Sequence, residues 1–350
     1  MTTVATFEIA GRPIGPDHPP YVIAEVSANH LQDLELAKRI VVDCAAAGVD
    51  AVKLQTYSAD TITLDVDLPG YLIEGGTWDG ERLYQLYERA MTPWHWTGEL
   101  MSLAHEHGVH LFSTPFDPTA VDYLEECGVP AYKVASFELT YHQLLARIGR
   151  TGKPVIMSTG LSTREEIVEA LQVLRDSGAS SIALMKCTSA YPASVSDLNL
   201  TLIPQMIDDF RIPIGYSDHT IGNTAAIAAV ALGACIIEKH VKDAASTGSA
   251  DESFSTLPDD LAALVAGCRD AHSARGSTTY GPTTAELPSL HFRRSVVASR
   301  NIAAGETLTR DDLVVVRPNI GAAPREFDAL IGSVVDRDYV RGEGLPHPNA

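Results

Sequence analysis

Residues 215–242 read GYSDHTIGNTAAIAAVALGACIIEKHVK. The pattern predicts strand, turn, helix, strand. The first apolar run closes on Ser217, Asp218 and His219, and the second closes on Glu238 and His240. Between them, Ala225 to Ala234 is almost wholly small or apolar, so that helix must pack against something rather than face water. A strand–helix–strand unit makes the two strands parallel neighbours. Two histidines and two carboxylates are then delivered to the same strand ends, which is how an α/β enzyme assembles a metal site. The competing reading is two satisfied histidines in loops.

The same alternation runs along the chain. Strands are predicted at Tyr21–Ser27, Ala51–Gln55, Val109–Ser113, Ala131–Ala135, Pro154–Ser158, Ile182–Lys186, Ile212–Ser217 and Cys235–His240. Helices are predicted at Leu34–Ala47, Trp94–His107, Ala120–Cys127, Arg164–Ser177, Leu200–Asp209, Thr224–Leu232 and Asp259–Ala274. Repeated strand–helix units of this number predict an α/β fold, a (β/α)8 TIM barrel, rather than an open sheet. Ser162 to Glu166 reads as a capping box, and Gly48, Gly108, Gly128, Gly178 and Gly233 stand where helices should stop. A long insertion separates Gln55 from Trp94, with an extra helix expected over Gly80–Ala90; long barrel loops usually serve function. Residues 1–275 are thus the expected barrel. Residues 276–290, rich in Gly, Pro and Thr, read as a linker. Residues 291–350 read as a small, mostly β module, with strand-like runs at Ser295–Ser299, Leu313–Arg317 and Val334–Val340.

Composition narrows the partners. The 350 residues carry a formal net charge of −19, which argues against nucleic acid or an anionic membrane surface. An anionic substrate would need a local cationic pocket against that field. Five cysteines are dispersed with no CxxC, which predicts reduced thiols and a cytoplasmic home. Met1 to Pro20 lacks a basic start followed by an apolar run, so no secretory signal is expected, and no apolar run reaches membrane-spanning length.

Catalytic residues of a barrel gather at the carboxyl ends of its strands. Those ends carry Glu25, Lys53 with Gln55, Ser113, Lys133 with Ser136, Ser158, Lys186 with Thr188 and Ser189, Ser217 with His219, and Glu238 with His240. A lysine inside an apolar run is expensive to bury unpaired. Two or three converging on one mouth predict a bound phosphate or carboxylate; the alternative for each is a structural ion pair with Glu25 or Glu238. Ser136, Ser158 and Ser217 could donate to the same anion. His219 and His240 are candidate ligands for an ion such as Mn2+ or Mg2+, with positions left open for substrate oxygens. Glu25, a carboxylate among apolar neighbours, is the general acid/base candidate.

Taken together, these phrases resemble the sialic acid synthase family, enzymes that condense phosphoenolpyruvate with an N-acetylated amino sugar. The resemblance is carried in order by YVIAEVSANH, DAVKLQTY, LFSTPFD, AYKVASFEL, KPVIMSTGLST, LMKCTSAYP, GYSDHTIG and IIEKHVK, and covers nearly the whole chain. The closing module, with RRSVVASRNIAAGETLT and VVVRPNIG, resembles the antifreeze-like SAF domain that ends these enzymes. The resemblance implies that His219 and His240 hold a divalent metal, usually manganese. Lys53, Lys133, Ser136, Ser158 and Ser217 would bind phosphoenolpyruvate. Glu25 would serve the reacting carbonyl or its proton traffic, and Glu238 would position the lysines or the metal. Tyr191 and Asp251 match positions that face the sugar. It also implies a domain-swapped homodimer, in which Arg317 of the closing domain reaches the sugar's acetamido group on the other subunit.

Neuraminate synthases resemble AEIGINH, KHQTH and CTNIYP where this chain has AEVSANH, KLQTY and CTSAYP; Ser189 stands in place of their asparagine. The insertion GGTWDGERLYQLYERAMTPWHW resembles that of pseudaminic acid synthases, whose acceptor is 2,4-diacetamido-2,4,6-trideoxy-L-altrose. Its deoxy C6 would suit the apolar Tyr71, Trp78, Trp94 and Trp96, for which helix–barrel packing is the alternative. A neuraminate or legionaminate synthase, and a sugar-binding barrel without turnover, are the competing functions.

Overall fold

In the computed structural model, which describes residues 4–348, the chain forms two compact units that divide between Gly276 and Ser277. The first is a closed barrel of eight parallel strands: β1 (Tyr21–Glu25), β2 (Ala51–Thr56), β3 (His110–Pro115), β4 (Tyr132–Val134), β5 (Val155–Ser158), β6 (Ile182–Cys187), β7 (Ile214–Asp218) and β8 (Ile236–His240). Each strand pairs with the next, and β8 returns to β1. The following helices are α1 (Leu34–Ala46), α2 (Thr97–Glu106), α3 (Pro118–Cys127), α4 (His142–Gly149), α5 (Arg164–Asp176), α6 (Leu202–Phe210), α7 (Thr224–Ala231) and α8 (Pro258–Ala274). The strands are buried on both faces, by the barrel core and by the helices, so they read as mainly apolar runs, with most of their polar residues gathered toward the carboxyl ends.

Local signals set the helix ends. Thr163 caps α5 by accepting from the Glu166 backbone N–H at 3.2 Å, and Glu166 reaches back to Thr163; Asp33 and Asp117 cap α1 and α3. Each cap is worth about 1 kcal/mol.

Several expectations are corrected. Helix α4 did not stand out, because eight residues beginning His-Gln show little more than one apolar turn. A hairpin, Phe7–Ile9 with Arg12–Ile14, precedes the barrel; its strands are too short for alternation to register. The insertion's helix begins at Leu83, not Gly80, because residues 72–82 form a tight hairpin turn bounded by an isolated bridge between Leu72 and Arg82.

In the second unit, β9 (Ser295–Ala298) pairs antiparallel with β10 (Leu313–Val316) over a core that includes Val296, Leu308, Tyr339 and Leu345. Val334–Val340 is not a strand: it makes only single bridges, Val334 to Thr307 and Tyr339 to Ile302. The expected linker is exposed through residue 289, but Thr284–Phe292 winds into a 3-10 helix started by a Thr283–Glu286 capping box.

Candidate active site

Strand register decides which side chains meet. Partners across a parallel ladder share a face, and faces alternate every residue. Glu25 stands opposite Lys53 and His240, and Ser217 stands opposite Glu238 and Cys187. These residues line the inside of the barrel's carboxyl end. Lys186 partners Tyr216 and therefore belongs to the other face; its Nζ bonds the Cys187 carbonyl at 2.8 Å and Thr188 Oγ1 at 3.2 Å. Two lysines converge on the mouth, not three.

Lys53 Nζ lies 2.7 Å from Glu25 Oε2 and donates to Thr114 Oγ1 at 3.0 Å. Lys133 Nζ donates to Ser158 Oγ at 2.7 Å and to the Val134 carbonyl at 3.1 Å. Both ammonium groups flank Glu238, at 3.7 and 3.8 Å, beyond hydrogen-bond distance. An ammonium has three donors. Each lysine thus keeps at least one N–H with no close acceptor among the described residues. The ion-pair alternative holds for Lys53 with Glu25, and it still leaves that donor free.

All four charges are buried. Burial pushes the Glu25 carboxyl up, partly offset by Lys53 and reinforced by Glu238. Burial acts the same way on Glu238, but Lys133 and Lys53 outweigh it and hold that carboxyl below its usual range. Burial also works against the charge on each lysine. Glu238 and Glu25 reverse this for Lys53, whereas Lys133 is left below its ordinary value. The two carboxylates are thereby driven apart, one toward carrying a proton and one toward staying ionised, the arrangement that assigns acid and anchor roles.

Ser136, Ser158 and Gly160 form a small cradle. Ser136 Oγ accepts from the Gly160 N–H at 3.1 Å. A Cβ at position 160 would collide with the Ser136 and Ser189 hydroxyls, so the close approach requires glycine.

His219 and His240 face one another with ring centroids 5.3 Å apart. His219 Nδ1 bonds the Thr188 carbonyl at 3.0 Å. A carbonyl only accepts, so Nδ1 carries the hydrogen. Burial works against a second proton on the ring, but Cys187 and the Thr188 carbonyl outweigh it and raise the imidazole's pKa, so an ion at Nε2 would compete with a proton. His240 Nδ1 is buried with no hydrogen-bond partner among the described residues, and Asp251 Oδ2 lies 3.7 Å away. Burial, with His219 and Lys53, holds the His240 imidazole well below its ordinary pKa, hence neutral and fit to ligate. Among the described residues no group of three or more His, Cys, Asp or Glu side chains could hold a metal ion. The donor set fits an ion bound by two imidazoles whose other positions take oxygens.

Tyr191 stacks on His219 at 4.3 Å and approaches Phe254 at 5.2 Å. Asp251 accepts from Ser27 Oγ, and Gln55 Nε2 donates to both Glu25 and Ser27, tying the first-strand loop to the site. Trp78 alone among the insertion's tryptophans comes to the mouth: its ring lies 5.6 Å from Tyr191 and its Nε1 donates to the Ala250 carbonyl at 2.8 Å. Trp94 packs on Tyr123, and buried Trp96 packs on His30. Arg317 follows β10 in the second unit and is exposed.

Two mouth residues escaped sequence reasoning. Cys187 lies 3.9 Å from His219 Nδ1; burial would raise its thiol, but His219, Ser136 and Lys133 bring it down to about 7. Counting inward positions from Ser217 would have found it. Glu138, in the turn after Ser136, is pushed up to about 7 chiefly by burial. Nothing in its local sequence signals that burial.

The fold is a (β/α)8 barrel, and its carboxyl end gathers buried lysines, carboxylates and a histidine pair, the makings of an enzyme site. The NeuB family matches residues 40–280 and the SAF domain matches residues 293–348. The chain is 37% identical to pseudaminic acid synthase of Campylobacter jejuni, over 94% of this chain and 96% of that protein. It is 38% identical to that of Helicobacter pylori, over 90% and 93% respectively. A solved N-acetylneuraminic acid synthetase from Leptospira borgpetersenii superposes with a TM-score of 0.74 at 28% identity, covering 83% of this chain and 96% of that one. The chain belongs to the NeuB family.

Proposed function

We propose that this protein is a pseudaminic acid synthase, condensing phosphoenolpyruvate with 2,4-diacetamido-2,4,6-trideoxy-L-altrose to give a nonulosonic acid and inorganic phosphate. The observation that carries the reading is the pair of buried lysines, each with an unspent N–H beside Glu238, next to the paired histidines. Lys53 and Lys133, with the hydroxyls of Ser136, Ser158 and Ser217, bind the phosphate and carboxylate of phosphoenolpyruvate and orient it. Glu238 lies between the two ammonium groups and favours their charged forms against burial. A divalent ion, Mn2+ or Mg2+, held by His219 and His240 would act as a Lewis acid on the sugar aldehyde. Carbon C3 of phosphoenolpyruvate forms the new bond to the aldehyde carbon. Water adds at C2, and phosphate leaves with its bridging oxygen. Glu25, with its carboxyl pushed up by burial, gives its proton to the former aldehyde oxygen as the C–C bond forms and takes one back from the attacking water. Tyr191, Asp251 and Ser189 contact the sugar.

The named relatives support the altrose acceptor, and so does Trp78 at the mouth, an apolar wall suited to a deoxy C6. Purified protein should release phosphate only when both phosphoenolpyruvate and the altrose derivative are present, and a chelator should stop it. Turnover of N-acetylmannosamine without turnover of the altrose derivative would replace this assignment by a neuraminate synthase. No turnover of either, with sugar still bound, would leave a binding barrel.

We further assign a homodimer in which the second unit of one copy covers the mouth of the other. Large apolar side chains ring the mouth on five different loops: Leu64, Leu68, Phe137, Leu161, Val195 and Ile221 are all more than half exposed. On the second unit, exposed Val316 and Ile320 flank Arg317. Such a ring on a monomer calls for a partner. Light scattering should give twice the chain mass, and Leu161→Asp with Ile221→Asp should yield a monomer with weakened sugar binding. A wild-type monomer of full activity would sink the assignment. All five cysteines are free thiols, which supports a reducing, cytoplasmic setting.

A further inference from the structure

The residues just before the two histidines form a buried ion pair on the opposite face of the barrel wall. Asp218 and Lys239 are direct partners in the β7–β8 ladder. Because faces alternate, Ser217 and Glu238 point into the barrel while Asp218 and Lys239 point away from its mouth. Both are essentially inaccessible, at 0% and 1% exposure.

Lys239 Nζ donates to Asp218 Oδ2 at 2.9 Å, to the Gly222 carbonyl at 2.9 Å and to the Thr220 carbonyl. All three of its donors are used. Asp218 Oδ1 in turn accepts from the Thr220 N–H at 2.9 Å and from Thr220 Oγ1 at 2.8 Å. One ammonium therefore gathers the turn that follows β7, from Asp218 through Gly222, and fastens it to β8. That turn carries His219, and β8 carries His240.

A buried ion pair is a poor source of net stability, because desolvation offsets its attraction; its best-attested use is to specify one arrangement. The arrangement specified here is the angle and spacing of the two imidazoles, 70° and 5.3 Å. The His219 ring is also held by the Thr188 carbonyl, and the His219 carbonyl accepts from the Ala193 N–H at 3.0 Å, but these tie it to the β6 loop. The Lys239 bonds are the side-chain contacts that fasten the turn to β8, since Gly222 lies in the left-handed region and Ile221 between the bonded carbonyls is exposed.

We infer that Lys239, with Asp218, is a positioning residue that presets His219 and His240 for the metal, acting from behind the barrel wall without touching substrate. This rests on the metal reading of the two histidines. Outer partners of metal ligands typically govern affinity by about 10- to 100-fold.

Mn2+ alone is the probe, titrated into full-length protein and followed by electron paramagnetic resonance. Wild type should bind one ion per chain. Lys239→Met should bind it about 10- to 100-fold more weakly, and kcat should recover at saturating Mn2+. Because Lys239→Met strands a buried carboxylate, the paired variant Asp218→Asn with Lys239→Met is measured beside it; this removes both charges and should weaken Mn2+ binding equally. Either variant folded by circular dichroism and binding Mn2+ with wild-type affinity overturns the inference and leaves the metal reading standing. Failure of both to fold also overturns it, since the pair would then be a general requirement of the barrel. A wild type that binds no Mn2+ removes the metal reading itself, and the wild-type titration alone reveals that outcome.

Discussion

Replacing His240 by alanine is expected to abolish stoichiometric Mn2+ binding and to lower kcat by about 10³-fold or more, since Lewis-acid stabilisation of a developing alkoxide is worth several kcal/mol. The ring is buried among Phe254, Tyr191 and His219, so truncation also leaves a cavity. Loss of packing alone would lower the melting temperature and spare metal binding. The two effects separate in His240→Leu, which refills most of the space with no donor atom. If His240 is a ligand, this variant should melt near wild type and still fail to bind Mn2+. A folded His240→Leu that binds Mn2+ normally would make His240 a core residue.

Lys53→Met should be the most destabilising single change at the mouth, by about 1–3 kcal/mol, because it leaves a carboxyl deep in the barrel without its partner. Glu25 lies 2.7 Å from the ammonium and has no other cation so close, and without it burial drives the carboxyl to take a proton. The double variant Glu25→Gln with Lys53→Met removes the titrating carboxyl and should recover most of the lost melting temperature. It should not recover function. A charge-assisted hydrogen bond of about 1.5–3 kcal/mol corresponds to about a 10- to 100-fold rise in the Kd for phosphoenolpyruvate. Calorimetric titration of phosphoenolpyruvate checks this. Recovery of both stability and binding would show that Lys53 serves only as the counter-ion of Glu25.

Much of this was legible beforehand because the signals are local and repeated. Each barrel strand is a mostly apolar run with a polar residue at or near its carboxyl end, and each run recurs after a helix-length interval. The barrel class follows from that repetition, and the mouth follows from where the runs stop. Thr163 with Glu166, and the glycines at helix ends, are likewise readable because their hydrogen bonds lie within four residues. Shorter elements failed this test. Helix α4 and the first hairpin are too brief to establish a period, and Val334–Val340 has strand-like composition without a continuous partner.

The mouth itself depended on closure. Which lysines meet is a matter of register between strands far apart in the chain: Lys53 and Lys133 share an interior face with Glu238, while Lys186, one residue out of phase, does not. Trp78 reaches Tyr191 whereas Trp94 and Trp96 pack elsewhere, although all three belong to one insertion. The stretch 215–242 divides in the same way. Its residue types and spacing predicted two histidines at adjacent strand ends, because a short helical crossover commonly joins parallel neighbours; two histidines satisfied in loops was the other reading of the same residues. That Asp218 and Lys239 lock together behind them, and that burial keeps His240 neutral, came only with the closed barrel, since desolvation and cross-strand pairing are properties of the packed wall and not of any segment within it.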